Sequence, residues 1–287
     1  MHIVKLMRPQ QWLKNLFVFL PLFFDRTLFE ADYFVPVMAT FVAFCLLSSA
    51  VYCLNDIRDV EADRLHPRKR LRPIASGQVS VRTAYFVMCM CAMAGEGILM
   101  AVHQPVWWLG LLYLLLNVAY SWRLKRIALV DTFIVAVGFV IRVFAGGFAA
   151  NLYVSHWIVM MTFLLALFLA LAKRRDDVVI YAETGVAMRE HIVKYNVSFL
   201  DMALTVISSI IVICYVMYTV SPDVMTRIGS DYLYTTAVLV LLGLLRYMQI
   251  AVVERRSGSP TAVLLHDRFV QICVALWVAW YGVLLYF

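Results

Sequence analysis

Residues 237–245 read AVLVLLGLL, nine positions without one polar side chain. A membrane-barrel strand alternates apolar and polar residues, because one face meets lipid and the other the lumen. An unbroken run fits a lipid-surrounded helix instead. Composition agrees. Of 287 residues, 63% are hydrophobic and 15% charged, with a mean hydropathy of +0.83. Soluble domains hold roughly 45–50% apolar and about 25% charged residues. The excess fits repeated segments of roughly 20 apolar residues, the length that crosses a bilayer as a helix.

The pattern predicts an all-α polytopic protein with nine transmembrane helices in a bundle, over residues 15–30, 36–54, 82–102, 106–122, 127–150, 155–173, 199–220, 232–253 and 267–287. Basic residues alternate with this count. Lys5, Arg8 and Lys14 precede the first span; Arg58, Arg64, Arg68, Lys69, Arg70, Arg72 and Arg82 fall in the second-to-third loop. Arg123, Lys125 and Arg126, then Lys173, Arg174, Arg175, Arg189 and Lys194, then Arg255, Arg256 and Arg268 occupy the later even-to-odd loops. The intervening loops, 25–35, 103–105, 151–154 and 221–231, are short and nearly free of basic charge. Basic loops stay cytoplasmic. The expected N-terminus is therefore cytoplasmic and the C-terminus outside, in an inner (plasma) membrane.

The same topology accounts for the net charge of +7 without nucleic acid. The opening MHIVKLMRPQQWLKN lacks the apolar core and small-residue cleavage site of a signal peptide. The six cysteines, Cys45, Cys53, Cys89, Cys91, Cys214 and Cys273, lie in apolar stretches without a metal-type pair and read as packing residues. No linker interrupts the chain, so one domain, 1–287, is expected. Its catalytic face would be built from cytoplasmic segments 1–15, 55–82, 123–131 and 173–198.

The most informative segment is NDIRDVEADRLHPRKRLRPIASG, residues 55–77. Asn55, Asp59 and Asp63 recur every fourth residue and share one helix face. Asp56 adds a fourth oxygen donor. Stacked carboxylates repel, and a hard cation such as Mg2+ relieves the repulsion while bridging substrate phosphates. Arg64, His66, Arg68, Lys69, Arg70 and Arg72 follow at once. Carboxylates for a metal beside cations for phosphate oxygens make a diphosphate clamp. A solvated cytoplasmic loop explains the arginines but not the acidic row. His66 reads as an ordinary loop histidine.

This segment resembles the first Asp-rich motif of the UbiA superfamily of intramembrane prenyltransferases, and the resemblance covers essentially the whole chain. It implies a nine-helix fold, Mg2+, a diphosphate donor and a lipid substrate. The family's second motif, DxxxD after the sixth span, is missing from LAKRRDDVVIYAETGVAMREHIVKY, residues 171–195. Asp176, Asp177, Glu183 and Glu190 do not form it in any register. A prenyl-diphosphate donor is thereby placed in doubt. RPQQWLKN (8–15), YSWRLKRIALVD (120–131) and the AKRR, AETG and MRE stretches resemble the polyprenyl-phosphate phosphoribosyltransferase branch. There the donor is phosphoribosyl diphosphate and the acceptor decaprenyl phosphate, and the product feeds cell-envelope polysaccharide synthesis.

The resemblance implies these roles. Asn55, Asp59 and Asp63 hold the metal, with Asp56 beside them. Lys69, Arg70 and Arg72 hold donor phosphates. Arg8, Gln11, Lys14 and Asn15 receive the lipid phosphate near Trp12, unless that group is merely an interfacial anchor. Tyr120, Arg123 and Lys125, with Lys173, Arg174, Arg175 and Asp177, complete the substrate pocket, unless the second group only sets orientation. The lipid phosphate is already an anion, so the site should be rich in cations and poor in histidine.

Polar residues inside spans need partners or roles. Glu96 lies 14 residues past Arg82, and Arg142 lies 15 past Ile127. Both are therefore roughly 20 Å deep at 1.5 Å per residue, and a buried Glu96–Arg142 pair is expected. Asp131 and Asp201 sit near cytoplasmic helix ends and are candidates to border the site. Arg246 serves either ligand contact or helix packing. Gly146 and Gly147 should permit close approach. The runner-up function is a prenyltransferase acting on an aromatic or other acceptor. A transporter would place its charges at the midplane in repeated halves, a pattern not found here. A homo-oligomer is left open.

Overall fold

The computed structural model describes residues 2–65, 69–184, 192, 194–254 and 260–286. His66, Arg68, Arg189, Glu190, Arg255 and Arg256 lie outside the described residues. Among those described, helices account for all regular structure. Seven are long and apolar enough to cross a membrane. They are α3 (Ala31–Arg58), α5 (Val81–Val102), α7 (Val130–Ala149), α8 (His156–Thr184), α9 (Val197–Thr219), α11 (Ala237–Val252, with the 3-10 turn Leu233–Thr236 before it) and α13 (Arg268–Tyr286). The chain is an integral membrane protein. Short helices fill the connections: α1 (His2–Met7), α2 (Leu20–Phe24), α4 (Val60–Leu65), α10 (Pro222–Ile228) and α12 (Pro260–His266).

The two remaining predicted spans differ from the seven. α6 (Gln104–Trp122) is a helix of 19 residues where one was expected. The first predicted span is instead a 3-10 helix, Pro9–Phe19, followed by the five-residue α2. Pro9 and Pro21 stand at the starts of these two pieces, where a missing N–H costs nothing. Arg26 then turns the chain with φ 67°. α8 departs in the other direction. It runs to Thr184, carrying Lys173–Asp177 inside a helix rather than in the predicted loop.

The chain forms two compact units, Met1–Lys125 with Gly138–Val154, and Arg126–Val137 with Ser155–Phe287. In the first, α3 is the central helix, packed on α5, α6, α1 and the 3-10 helix. Its core joins Val18, Leu22, Phe44, Leu47, Leu99, Val106, Tyr113 and Ile141. Gly146 of α7 is required there, because a Cβ would fall 1.8 Å from the Val18 carbonyl oxygen. At Gly147 a Cβ would strike Val154 at 2.2 Å. Both glycines permit close approach, as expected, one to the 3-10 helix and the other to the segment just after α7.

The second unit packs α8 on α9 and α11 on α13. Phe168 and Tyr247 meet edge-to-face at 5.6 Å. Tyr215 accepts from Trp277 Nε1 at 2.7 Å and shares a hydrogen bond with Thr236.

Candidate active site

α3 delivers the first acidic residues on its last turn and ends at Asp59, whose φ of −96° and ψ of 8° break the helix. The fourfold backbone spacing survives the break. Asp59 N–H donates to the Asn55 carbonyl at 2.9 Å, and Asp63 N–H to the Asp59 carbonyl at 2.8 Å. The side chains divide differently from the expected single column. Asp56 and Asp63, both buried, are joined by Arg72, whose Nη1 donates to Asp56 Oδ1 at 3.1 Å and Asp63 Oδ2 at 2.6 Å. Lys125 Nζ donates to Asp59 Oδ1 at 2.7 Å, and Ser121 Oγ to Asn55 Oδ1 at 2.6 Å. Asp56, the presumptive extra ligand, is thus central, and Asp59 and Asn55 have other partners.

Arg8 completes the cluster. Its guanidinium donates to Asp56 Oδ1 and lies 5.2 Å from the Tyr52 ring centroid. It does so from a left-handed backbone, φ 54° and ψ 62°, which costs a non-glycine residue about 1–2 kcal/mol. Such strain persists where surrounding contacts fix it, often at functional sites. Here the following Pro9 and the bond from Gln11 N–H to the Arg8 carbonyl hold it.

The other predicted ligands in this unit scatter. Arg70 and Arg123 are exposed; Lys69, Tyr120 and Gln11 are half-buried. Trp12 Nε1 donates to Ser49 Oγ at 3.1 Å. Asn15 is fully buried and accepts from Ser48 and Arg142. Lys14 is half-buried.

The Glu96–Arg142 pair does not form. Arg142 bonds to Asn15, Ser48, Tyr113 and the Gly138 carbonyl. Both Glu96 carboxylate oxygens are buried without a hydrogen bond. Equal depth on two helices does not fix the direction each side chain faces.

In the second unit, Arg174 and Arg175 are buried and already neutralised. Arg174 donates to Asp131 Oδ2 at 2.6 Å and to Asp177. Arg175 donates to both Asp201 oxygens and, at 2.7 Å, to the Ala251 carbonyl. Lys173 is half-buried. Leu129, left-handed at φ 66°, gives its N–H to the Tyr195 hydroxyl, which donates in turn to Asp131 at 3.4 Å. Asp131 and Asp201, expected to border the site, pair with Arg174 and Arg175, expected in the substrate pocket; Tyr195 carries no local sequence signal. Arg246 packs on Asp267 and Glu254.

Among the described residues no three His, Cys, Asp or Glu side chains converge as a metal ion requires. The chemistry of the donors nonetheless fits a hard cation. Asp56, Asp63, Asp59 and Asn55 offer only oxygens, and Asp56 Oδ2 is buried with no hydrogen-bond partner. Arg72 holds the two buried carboxylates together.

These features meet in one protein class. The chain belongs to the UbiA prenyltransferase family, whose model matches residues 28–274, and it is a membrane transferase. Its relatives within the family include phosphoribosyltransferases. It is 35% identical to the decaprenyl-phosphate phosphoribosyltransferase of Mycolicibacterium smegmatis, over 99% of this chain and 92% of that protein. The enzyme of the same name from Mycobacterium tuberculosis is 32% identical, over 98% and 93%. The fold matches a UbiA homologue from Archaeoglobus fulgidus bound to DMAPP and Mg2+, with a TM-score of 0.73, 19% identity and 99% of each chain covered.

Proposed function

We propose that the chain transfers 5-phosphoribose from phosphoribosyl diphosphate to a polyprenyl phosphate of decaprenyl type, releasing diphosphate. The observation that carries this reading is the cluster at the end of α3. There two buried carboxylates, Asp56 and Asp63, stand among Arg8, Arg72 and Lys125. Oxygen donors interleaved with cations suit a metal-bound diphosphate. The names of the full-length relatives and the missing second DxxxD motif favour a phosphoribosyl donor over a prenyl one.

The reaction balances simply. A lipid-phosphate oxygen attacks C1 of the ribose, and the bond from C1 to diphosphate breaks with its electron pair leaving on diphosphate. Positive charge builds at C1 in the transition state, as in glycosyl transfer. The nucleophile is already anionic, so no general base is needed. Asp56 and Asp63, with Asp59 and Asn55, would hold Mg2+, which neutralises charge on the leaving oxygens when bound. Arg72 and Arg8 turn from carboxylates toward phosphate oxygens as the donor arrives, and Lys125 does likewise from Asp59. Their role is charge placed in advance of the leaving group.

The accompanying topology is nine spans in the plasma membrane, with the N-terminus and the site on the cytoplasmic side. The product would enter cell-envelope polysaccharide synthesis. The test incubates purified protein with labelled phosphoribosyl diphosphate and polyprenyl phosphate, with Mg2+ or with chelator. Mg2+-dependent label in the lipid fraction supports the reading. Consumption of prenyl diphosphate while phosphoribosyl diphosphate is ignored overturns it.

A further inference from the structure

Arg142 of α7 is 6% exposed and, among the described residues, bonds to no carboxylate. Its Nε donates to Asn15 Oδ1 at 2.7 Å, Nη1 to the Gly138 carbonyl at 2.6 Å, and Nη2 to Tyr113 at 2.9 Å and Ser48 at 3.4 Å. Its guanidinium carbon lies 4.8 Å from the Tyr113 ring centroid and 5.3 Å from that of Phe139. Every partner is neutral. Arginine does not lose its proton in proteins, so a full positive charge is buried without a counter-ion.

Lys14 stands next to Asn15 on the 3-10 helix, and Asn15 is held by Arg142. Among the described residues Lys14 has no carboxylate partner. Arg8 is compensated by Asp56, but Asp56 also serves Arg72. Glu96, the carboxylate expected to balance Arg142, does not bond to it. This part of the first unit therefore holds two positive charges and no anion. Burying unpaired charge is unfavourable unless a partner arrives. Immediately beside them Phe17 and Phe139 meet edge-to-face, with ring centroids 4.8 Å apart. Cations bordered by aromatic rings suit an anion carried on an apolar chain.

We propose that Lys14 and Arg142 form the subsite for the phosphate of the lipid acceptor. Lys14 contacts the phosphate. Arg142, locked by Asn15, Ser48 and Tyr113, is a positioning residue that supplies fixed positive charge behind it. This deepens the transfer reading by naming where the acceptor binds. It also reassigns Asn15, which orients Arg142 rather than meeting lipid.

Binding without turnover tests it. Purified full-length protein, without donor, would be titrated with a polyprenyl phosphate, the matching polyprenyl alcohol and inorganic phosphate. Wild type should prefer the lipid phosphate over the alcohol by about ten- to a hundredfold, as charge-assisted hydrogen bonds allow. Lys14→Gln and Arg142→Met should lose that preference, and Arg142→Lys should keep part of it. The alcohol itself should bind all variants equally, which a merely structural role would not predict. Should Arg142→Met fail to fold, Lys14→Gln decides alone. An undiminished preference in Lys14→Gln overturns the proposal. Inorganic phosphate binding as tightly as the lipid would reassign the site to a free anion and overturn it too. If the preference holds while phosphoribosyl transfer is absent, the transfer reading falls and this site stands.

Discussion

Arg72 reaches Asp63 over 2.6 Å through the same amino group that touches Asp56. Arg72 therefore bridges two carboxylates that would otherwise repel, and Arg8 supplies the second positive charge at Asp56. Removing one carboxylate charge disturbs this balance without emptying space. Asp63→Asn should keep the fold with a modest fall in detergent melting temperature, because the partly exposed Arg72 retains Asp56. Its Mg2+-dependent turnover should fall by about 10²–10³, as for the loss of a leaving-group stabiliser. Retained turnover in both Asp63→Asn and Asp59→Asn would remove the metal assignment.

The Arg174–Asp131 pair is more deeply enclosed, at 3% and 0% side-chain exposure. Breaking a buried pair from one side leaves an uncompensated charge and costs about 3–5 kcal/mol. Arg174→Met should thus lower the unfolding midpoint sharply. The double variant Arg174→Met with Asp131→Asn should recover most of the loss. A double variant no better than the single would show that the pair contributes shape rather than charge balance.

Leu129 carries a left-handed backbone that only glycine adopts without strain. Leu129→Gly should therefore cost little stability, whereas Tyr195→Phe removes the acceptor of the Leu129 N–H. That loss should destabilise by about 1–3 kcal/mol. Thermal melts of the two variants side by side give the comparison, and the reverse order would contradict it.

Gly146 has no room for a methyl group, with the Val18 carbonyl oxygen at 1.8 Å from an ideal Cβ. Gly146→Ala should displace the 3-10 helix and cost about 1–3 kcal/mol, as overpacking does. Gly243, where a Cβ meets only Cys273 at 3.8 Å, serves as the control and should tolerate alanine.

Most helix positions could be read from the sequence, because apolar runs as long as that of α9 leave a lipid-spanning helix few alternatives. The extension of α8 through Lys173–Asp177 could not. Charges there looked like a loop, yet Asp131 and Asp201 neutralise them from positions 43 and 26 residues distant. The acidic spacing at 55–63 was legible, but the sharing of Arg72 between Asp56 and Asp63, 16 and 9 residues away, has no local sequence signal. Arg142 shows the limit most clearly. Its place inside an apolar helix demanded a partner, but helix rotation chose Asn15, Ser48 and Tyr113 over Glu96.

The Arg142 network has a consequence for biogenesis. Asn15, Ser48 and Tyr113 leave the ribosome well before residue 142, and their polar groups gain this donor only when α7 follows them into the bilayer. The first unit cannot finish maturing as a nascent chain of its early helices alone. Its final latch is synthesised after residues 126–137, which belong to the other unit. A chain truncated before Gly138 would thus lack the donor that Asn15, Ser48 and Tyr113 share.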